Sequence, residues 1–505
     1  MMEHMKHKKH DKHDKHDKAK IKKGLKSRNN QKYKTRLCEN NMSFADCELA
    51  ILRHAVDKSE EIQGEKTVSS PEVQKMIGIL EEFLIRKKLI CYGGTAINAI
   101  LPSYDKFYNT RIEIPDYDFF SKNALDDAKE LADIYYKAGY NDVEAKAGMH
   151  HNTFKVFVNF IGIADITFLE PVIYDSIQKE AIMVAGIKYA PPNYLRMSMY
   201  LELSRPQGDV TRWEKVLKRL TLLNKHFPLT VEKPCDDNEF MRKMYNRKID
   251  SFAIHDIVRD SLIDQGVVFF GGYAASIYGR YMPDKEKRLI DKIPDFDVIH
   301  KMPEKCASIV IEQLKEHGFH SIHVVEHDNI GEIVPKHVEI LVGEDTVAFI
   351  YEPIACHNYN VVEIDKKEIQ VATIDTMLSF YLAFIYAQKT YFSISRILCM
   401  AKFLFEVQSK NRLEQRGILK RFSLQCYGKQ PILEEIRAEK SQKFKELKQG
   451  TREYESWFLR YDPANKTRKK GLKKVKKVKT EKNTNTNINK NKNKTIKLLN
   501  FLKGK

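Results

Sequence analysis

The strongest constraint on this chain is that it contains one pattern twice. YGGTAINAILP at 92–102, followed by IPDYDFF at 114–120, recurs as FFGGYAASIYG at 269–279 and IPDFDVI at 293–299. Each copy places a Gly-Gly turn after an apolar run, Leu89–Tyr92 and Val267–Phe270, and then an Asp-x-Asp pair on a second apolar segment. A repeat of this kind means one unit of fold built twice. At 505 residues the chain exceeds a single core, and two similar units with helical extensions account for it.

The first copy carries the fuller set of chemical groups. Residues two apart on a strand share a face, so Asp116 and Asp118 point one way and Tyr117 the other. Two adjacent carboxylates repel unless a cation lies between them, and a hard divalent ion such as Mg2+ or Mn2+ is the natural occupant. A third segment, Asn159–Leu169, reads as a strand with a lone carboxylate, Asp165, among Ile163, Ile166 and Phe168. A charge there needs a partner. Gly93 and Gly94 let backbone amides approach an anion, and Thr95 adds a hydroxyl where Ala96–Leu101 can begin a helix. Three Asp for two metal ions, with a Gly-Gly-Thr turn for a triphosphate, make a site for in-line displacement at an α-phosphorus. Singly, Asp-x-Asp is most often solvated and Gly-Gly is usually a turn. The ordered set is far more specific, and it resembles the nucleotidyltransferase superfamily of DNA polymerase β.

The second copy departs from the first where the chemistry lies. From Asp165 to Leu195 the copies align without a gap at an offset of 182, anchored by Glu170-Pro171 against Glu352-Pro353. That offset turns Asp165 into Val347, and the Gly-Gly motif turns Thr95 into Tyr273, whose ring would crowd a triphosphate. Asp295 and Asp297 remain, as residues expected to cap loops or pair with lysines. The reading is one active site per chain, with the second unit keeping the fold alone.

Charge and cysteines bound the setting. The net charge is +18, but residues 1–36 hold +10 and 466–505 hold +15, so the body between them carries −7. The tails read either as mobile basic arms that raise encounter rates with nucleic acid or as solvated segments with no specific partner, and any RNA groove on the body must be a local patch. His7, His10, His13 and His16 recur every third residue in the first tail, which is low in complexity, and KTRKKGLKKVKKVK at 466–479 has the make-up of a nuclear signal. Eight cysteines without CxxC spacing suggest a reducing compartment and no zinc site. No stretch approaches eighteen apolar residues and no apolar leader follows the basic start, so the expectation is a soluble, unsecreted chain without a membrane partner.

The organisation expected is a disordered tail at 1–40, a helical region at 41–88, a catalytic unit with helical extension at 89–249, a degenerate unit with C-terminal helices at 250–460, and a second tail at 461–505. Small mixed sheets wrapped by helices give an α+β fold. On the helix expected over Val210–Leu223, Trp213, Val216, Leu217 and Leu220 form an apolar stripe, while Arg212, Lys215, Lys218 and Arg219 lie on other faces. Lys215 and Lys218 are candidates to reach a triphosphate, against the plainer alternative of a solvated face.

The order YGGTAIN, IPDYDFF, ADITFLEP and then YAPPNYLRMSMYLELSRP at 189–206, with a degenerate copy behind it, resembles the poly(A) polymerase catalytic subunits of large cytoplasmic DNA viruses, in the mimivirus-related branch. The resemblance covers roughly 40–460. It implies addition of AMP from ATP to mRNA 3′ ends without a template. It also implies that Asp116 and Asp118 bind both metals, that Asp165 completes the one facing the primer 3′-hydroxyl, and that Gly93, Gly94 and Thr95 hold the triphosphate. A homodimer, a separate processivity subunit, the host cytoplasm and packaging in the virion follow from kinship alone. Other readings stay open, namely a nucleotidyltransferase making oligoadenylate or modifying a small molecule, and a non-catalytic RNA-binding scaffold. Tyr194 and Tyr200 are candidate base-stacking platforms or, more simply, core residues.

Overall fold

The computed structural model describes residues 35–39, 41–236, 240, 251–290, 295–411 and 414–465. Both basic tails, with the histidine repeat and the run at 466–479, lie outside them, as do Ile293 and Pro294 of the second Asp-x-Asp motif.

Two helices open the chain. Phe44–Val68 is capped by Ser43, whose side chain accepts from the Asp46 amide at 3.2 Å, and it runs through Gly64 without a proline to stop it before Ser69. Pro71–Lys87 begins with proline in its first turn and stops at Lys88, which turns left-handed at φ 55°.

The first sheet contains β1 (Ile90–Tyr92), β2 (Tyr117–Ser121), β3 (Val143–Ala147), β4 (Thr153–Val158), β5 (Ile161–Phe168), β6 (Ile182–Val184) and β7 (Ile187–Tyr189), in the order β3-β4-β5-β2-β1-β7-β6. The second contains β8 (Val268–Phe269), β9 (Phe296–Ile299), β10 (Ile322–His327), β11 (His337–Val342), β12 (Asp345–Tyr351), β13 (His357–Ile364) and β14 (Lys367–Ala372), ordered β10-β11-β12-β9-β8-β14-β13. Strand for strand this is the same topology, so the sequence repeat is a repeat of fold. Neither sheet is small, because each gains an eighth strand, β15 (Cys426–Tyr427) beside β13 and β16 (Arg460–Tyr461) beside β3.

The eighth strand of the first sheet corrects a boundary. By chain order the helices Leu433–Glu446 and Arg452–Phe458 belong to the second unit, yet they dock on the first. Lys129 pairs with Glu455 at 2.7 Å, Arg452 with Asp126 at 2.9 Å, and β16 runs antiparallel to β3. This strap covers the otherwise open edge of β3, which is a common solution to an exposed edge strand.

The two units share one core. The helix Pro192–Leu203 and its counterpart at the same offset of 182, Ile374–Tyr386, pack against each other. Every residue of Ile374–Tyr386 is buried, including Asp375, whose charge is met by Arg421 at 2.7 Å. Tyr194 meets Tyr386 edge-on at 5.3 Å, and both Tyr194 and Tyr200 are core residues rather than stacking platforms.

The cysteines correct a second expectation. Six are paired, as Cys38–Cys47, Cys235–Cys399 and Cys356–Cys426, while Cys91 and Cys306 are free and buried. Two of these pairs span 164 and 70 residues, so no local spacing could have disclosed them. Among the described residues no helix is long and apolar enough to cross a membrane.

Candidate active site

The three acidic residues of the first copy come together because β2 and β5 are parallel neighbours. Asp118 lies directly opposite Asp165, and Asp116 immediately precedes β2. The turn between β1 and the helix Gly93–Ile100 abuts them. Gly93 has φ +73°, and a Cβ on it would lie 2.8 Å from Asp118 Oδ2. A Cβ on Gly94 would lie 2.5 Å from the Tyr108 hydroxyl and 2.9 Å from Arg219 Nη1. Only glycine leaves the turn this close to the carboxylates. Thr95 departs from the expected role of anion donor: its hydroxyl donates to the Asp116 carbonyl at 2.6 Å, so its hydrogen fixes the entry to β2.

Burial and mutual repulsion shape the electrostatics. Asp118 is pushed up to about 7, first by burial and then by Asp116 and Asp165. Asp116 is raised by burial and by Asp165. Lys155 opposes both shifts, Arg212 helps at Asp118, and Lys215 helps at Asp116. Lys155 stands on β4 opposite Asp165 and its ammonium pairs with Asp165 Oδ2. Among the described residues no group of three or more His, Cys, Asp or Glu stands at metal-ligand spacing. The donors nonetheless fit hard divalent cations, since Asp116 and Asp118 offer oxygens alone and their raised pKa values mark a deficit of positive charge.

A cationic helix face supplies part of that charge. On Trp213–His226, Lys215 faces Asp116, while Lys218 turns to solvent and pairs with Glu214 at 2.6 Å. The two lysine candidates therefore separate. Arg219, one turn beyond Lys215, is the stronger second cation: Nη2 donates to the Tyr108 hydroxyl at 2.6 Å and the guanidinium lies 5.0 Å from the Phe107 ring centroid. Its spacing of four from Lys215 was the available signal, weakened by the four cations crowded on that helix. Asn98 Oδ1 accepts from the amides of Phe107 at 2.8 Å and Tyr108 at 3.0 Å, tying the intervening loop to the Gly93–Ile100 helix. Beside it lies a cleft of about 230 Å³ lined by Thr95, Asn98, Tyr108, Asp116, Tyr117 and Tyr189.

Arg196 explains part of the 189–206 motif. It is 1 % exposed, donates from Nε to Asn224 Oδ1 at 2.7 Å, and binds Asn193 and the Phe227 carbonyl through its other nitrogens. A buried arginine thus holds the Trp213–His226 helix at the site.

The second copy is filled. Arg396 pairs with Asp295, and Tyr273 packs 5.0 Å from Phe269 and 5.5 Å from Phe296, where the first copy has Thr95. Asp297 is buried. The sheet register corrects the alignment by two residues: Phe349, not Val347, lies opposite Asp297 as Asp165 lies opposite Asp118. Both are apolar, so the third carboxylate is absent under either register, and Asp295 pairs with arginine rather than lysine.

Residues 78–209 match the family model described as "Poly(A) polymerase catalytic subunit". A relative from African swine fever virus, provisionally named poly(A) polymerase catalytic subunit, is 31 % identical over 216 residues, covering 42 % of this chain and 45 % of the relative. A relative of the same name from Acanthamoeba polyphaga mimivirus is 28 % identical over 204 residues, covering 39 % and 34 %. The matches thus span less than half the length of these curated relatives. The crystal structure of the Megavirus polyadenylate synthase superposes with a TM-score of 0.71 over 90 % of this chain and 93 % of that one, at 19 % identity. That likeness establishes the fold. The resemblance to the viral poly(A) polymerase catalytic subunits is borne out by these matches.

Proposed function

We propose that this chain transfers AMP from ATP to RNA 3′-hydroxyls without a template, releasing pyrophosphate. The observation that carries the reading is the trio Asp116, Asp118 and Asp165 on adjacent parallel strands beside the Gly93-Gly94 turn. Asp116 and Asp118 would hold two divalent cations, Mg2+ or Mn2+, and Asp165 would complete the ligand set of one of them. When bound, such ions lower the pKa of the attacking hydroxyl and neutralise charge on the departing pyrophosphate. The amides of Gly93 and Gly94 cradle the triphosphate at the helix start. Lys215 and Arg219 face it from the opposite helix, and Lys218 takes no part. Thr95 acts on the Asp116 backbone, keeping the first carboxylate in line.

The substrates in this proposal are ATP and an RNA 3′ end. The word "subunit" in the relatives' names supports a separate processivity partner, while a second copy of this chain, the host cytoplasm and the virion remain part of the proposal through kinship. The test is incubation of the chain with a short RNA primer, Mg2+ and each of the four NTPs singly, beside Asp116→Ala/Asp118→Ala. Long ladders from ATP only, absent in the double variant, are expected. Extension by only a few nucleotides would favour an oligoadenylate-synthesising enzyme, and no incorporation from any NTP would overturn the polyadenylation reading in favour of a small-molecule nucleotidyltransferase or an RNA-binding scaffold.

A further inference from the structure

Lys155 is a cation that the reaction as described does not use. It stands directly across from Asp165 in the antiparallel β4–β5 ladder, forms an ion pair with Asp165 Oδ2, and acts on Asp116 and Asp118 as well. Its side chain is 43 % exposed, so the ammonium can swing into solvent without breaking the core.

The duplicated fold supplies an internal comparison. In the second sheet the position opposite Asp297 is Phe349, and the residue across the next ladder from Phe349 is Glu339. The Lys155–Asp165 pair of the first copy is therefore replaced as a unit by Glu339 and Phe349. Where the third carboxylate is lost the lysine is lost with it, and Glu339 takes other partners, His327 at 2.9 Å and Thr346 at 2.5 Å. Where the first Asp of the pair remains, an arginine from another helix neutralises it instead. The lysine and the carboxylate it faces are thus present together in one copy and absent together in the other.

We propose that Lys155 is a built-in counter-ion to the carboxylate trio, which holds Asp165 in the metal-free chain and is displaced when a divalent cation enters. The proposal rests on the reading of the trio as a metal site. Its consequence is competition: the ammonium lowers the repulsion that would destabilise the empty site and weakens metal uptake at Asp165 until substrate phosphates add their own negative charge. Occupancy of that position is thereby tied to the arrival of the nucleotide.

The test is Mn2+ binding to the full chain, followed by electron paramagnetic resonance of the free ion, together with melting in EDTA. Lys155→Met is expected to bind Mn2+ roughly two- to fivefold more tightly than wild type, the range expected for loss of one partly exposed ion pair. It is also expected to melt lower in EDTA. Lys155→Arg keeps the charge and is expected to match wild type, which guards against a mere folding defect. In an Asp165→Asn background the Lys155→Met effect on affinity is expected to shrink to the smaller part that Lys155 exerts through Asp116 and Asp118, as for two residues that act largely through each other. Unchanged or weaker Mn2+ binding by Lys155→Met, or an equal effect in the Asp165→Asn background, would overturn the counter-ion proposal alone. Failure of wild type and Lys155→Met alike to bind Mn2+ would overturn the metal reading and this proposal together.

Discussion

Asp118 and His357 are both buried ionisable groups, and burial moves them in opposite directions because it penalises charge in each. The Asp118 carboxyl rises to about 7 beside two like charges, a cost that is tolerable where a cation is to be received. The His357 imidazole falls to about 3, chiefly through burial and secondarily through Arg205, and neither ring nitrogen has a hydrogen-bond partner. Its ring lies 5.1 Å from Phe380 at the junction of the two units, so it behaves as an aromatic core residue with a polar liability. With a folded pKa below the unfolded value of about 6.5, the unfolded chain takes up a proton that the folded chain refuses. The His357 contribution is thus fully present above pH 6.5 and is lost as pH falls from there toward 3, at about 1.4 kcal/mol per unit. Urea unfolding at pH 7 and pH 5 is expected to show wild type losing about 2 kcal/mol more than His357→Phe. Equal losses in the two proteins would mean that His357 accepts a proton in the fold.

Elements set by local pattern were legible in the chain, and those set by distant partners were not. The Gly-Gly turns, the Asp-x-Asp strands and the proline-started helix at Pro71 announce themselves within a few residues. The antiparallel strap β16, the Cys235–Cys399 and Cys356–Cys426 pairs, and the two-residue shift that puts Phe349 in place of Val347 depend on contacts far along the chain. The site shows the same division. Asp116, Asp118 and Asp165 could be read from spacing, whereas the Thr95 bond to the Asp116 carbonyl and the Lys155 pair needed the fold. The helix Trp213–His226 lies between these cases, since periodicity located it but could not say which cations face the turn. Lys215→Ala and Arg219→Ala are each expected to raise KM for ATP about tenfold or more, the loss of one charge-assisted contact, with KM for primer unchanged. Lys218→Ala is expected to leave both constants alone, because its ammonium already pairs with Glu214 in solvent. Steady-state kinetics with ATP and primer varied separately would check this, and a Lys218→Ala effect equal to that of Lys215→Ala would remove the assigned orientation of the helix.

At the scale of the whole molecule, two copies of one topology have been put to different uses within a continuous core. The first keeps three carboxylates next to a glycine turn, with Lys155 paired to one of them. The second has exchanged this arrangement for an Arg396–Asp295 ion pair and a packed Tyr273 ring, which serve stability. The equivalent helices Pro192–Leu203 and Ile374–Tyr386 join the two, so the second unit supports the position of the first through this packing and through the Asn358 amide, which donates to the Ser204 carbonyl at 2.9 Å. Substitution of matching aspartates should then give opposite results. Asp116→Ala removes a repelling carboxylate, so transfer is expected to be abolished while melting in EDTA stays level or rises. Asp295→Ala strips Arg396 of its carboxylate in a site where the two side chains are only 14 % and 6 % exposed, and about 3 kcal/mol of stability is expected to be lost. Its rate of transfer at low temperature is expected to equal wild type, since Asp295 contributes nothing to the first site. Melting curves and initial rates for the two variants check both halves, and an Asp295→Ala protein that melts normally but transfers slowly would mean the second copy still takes part in the chemistry.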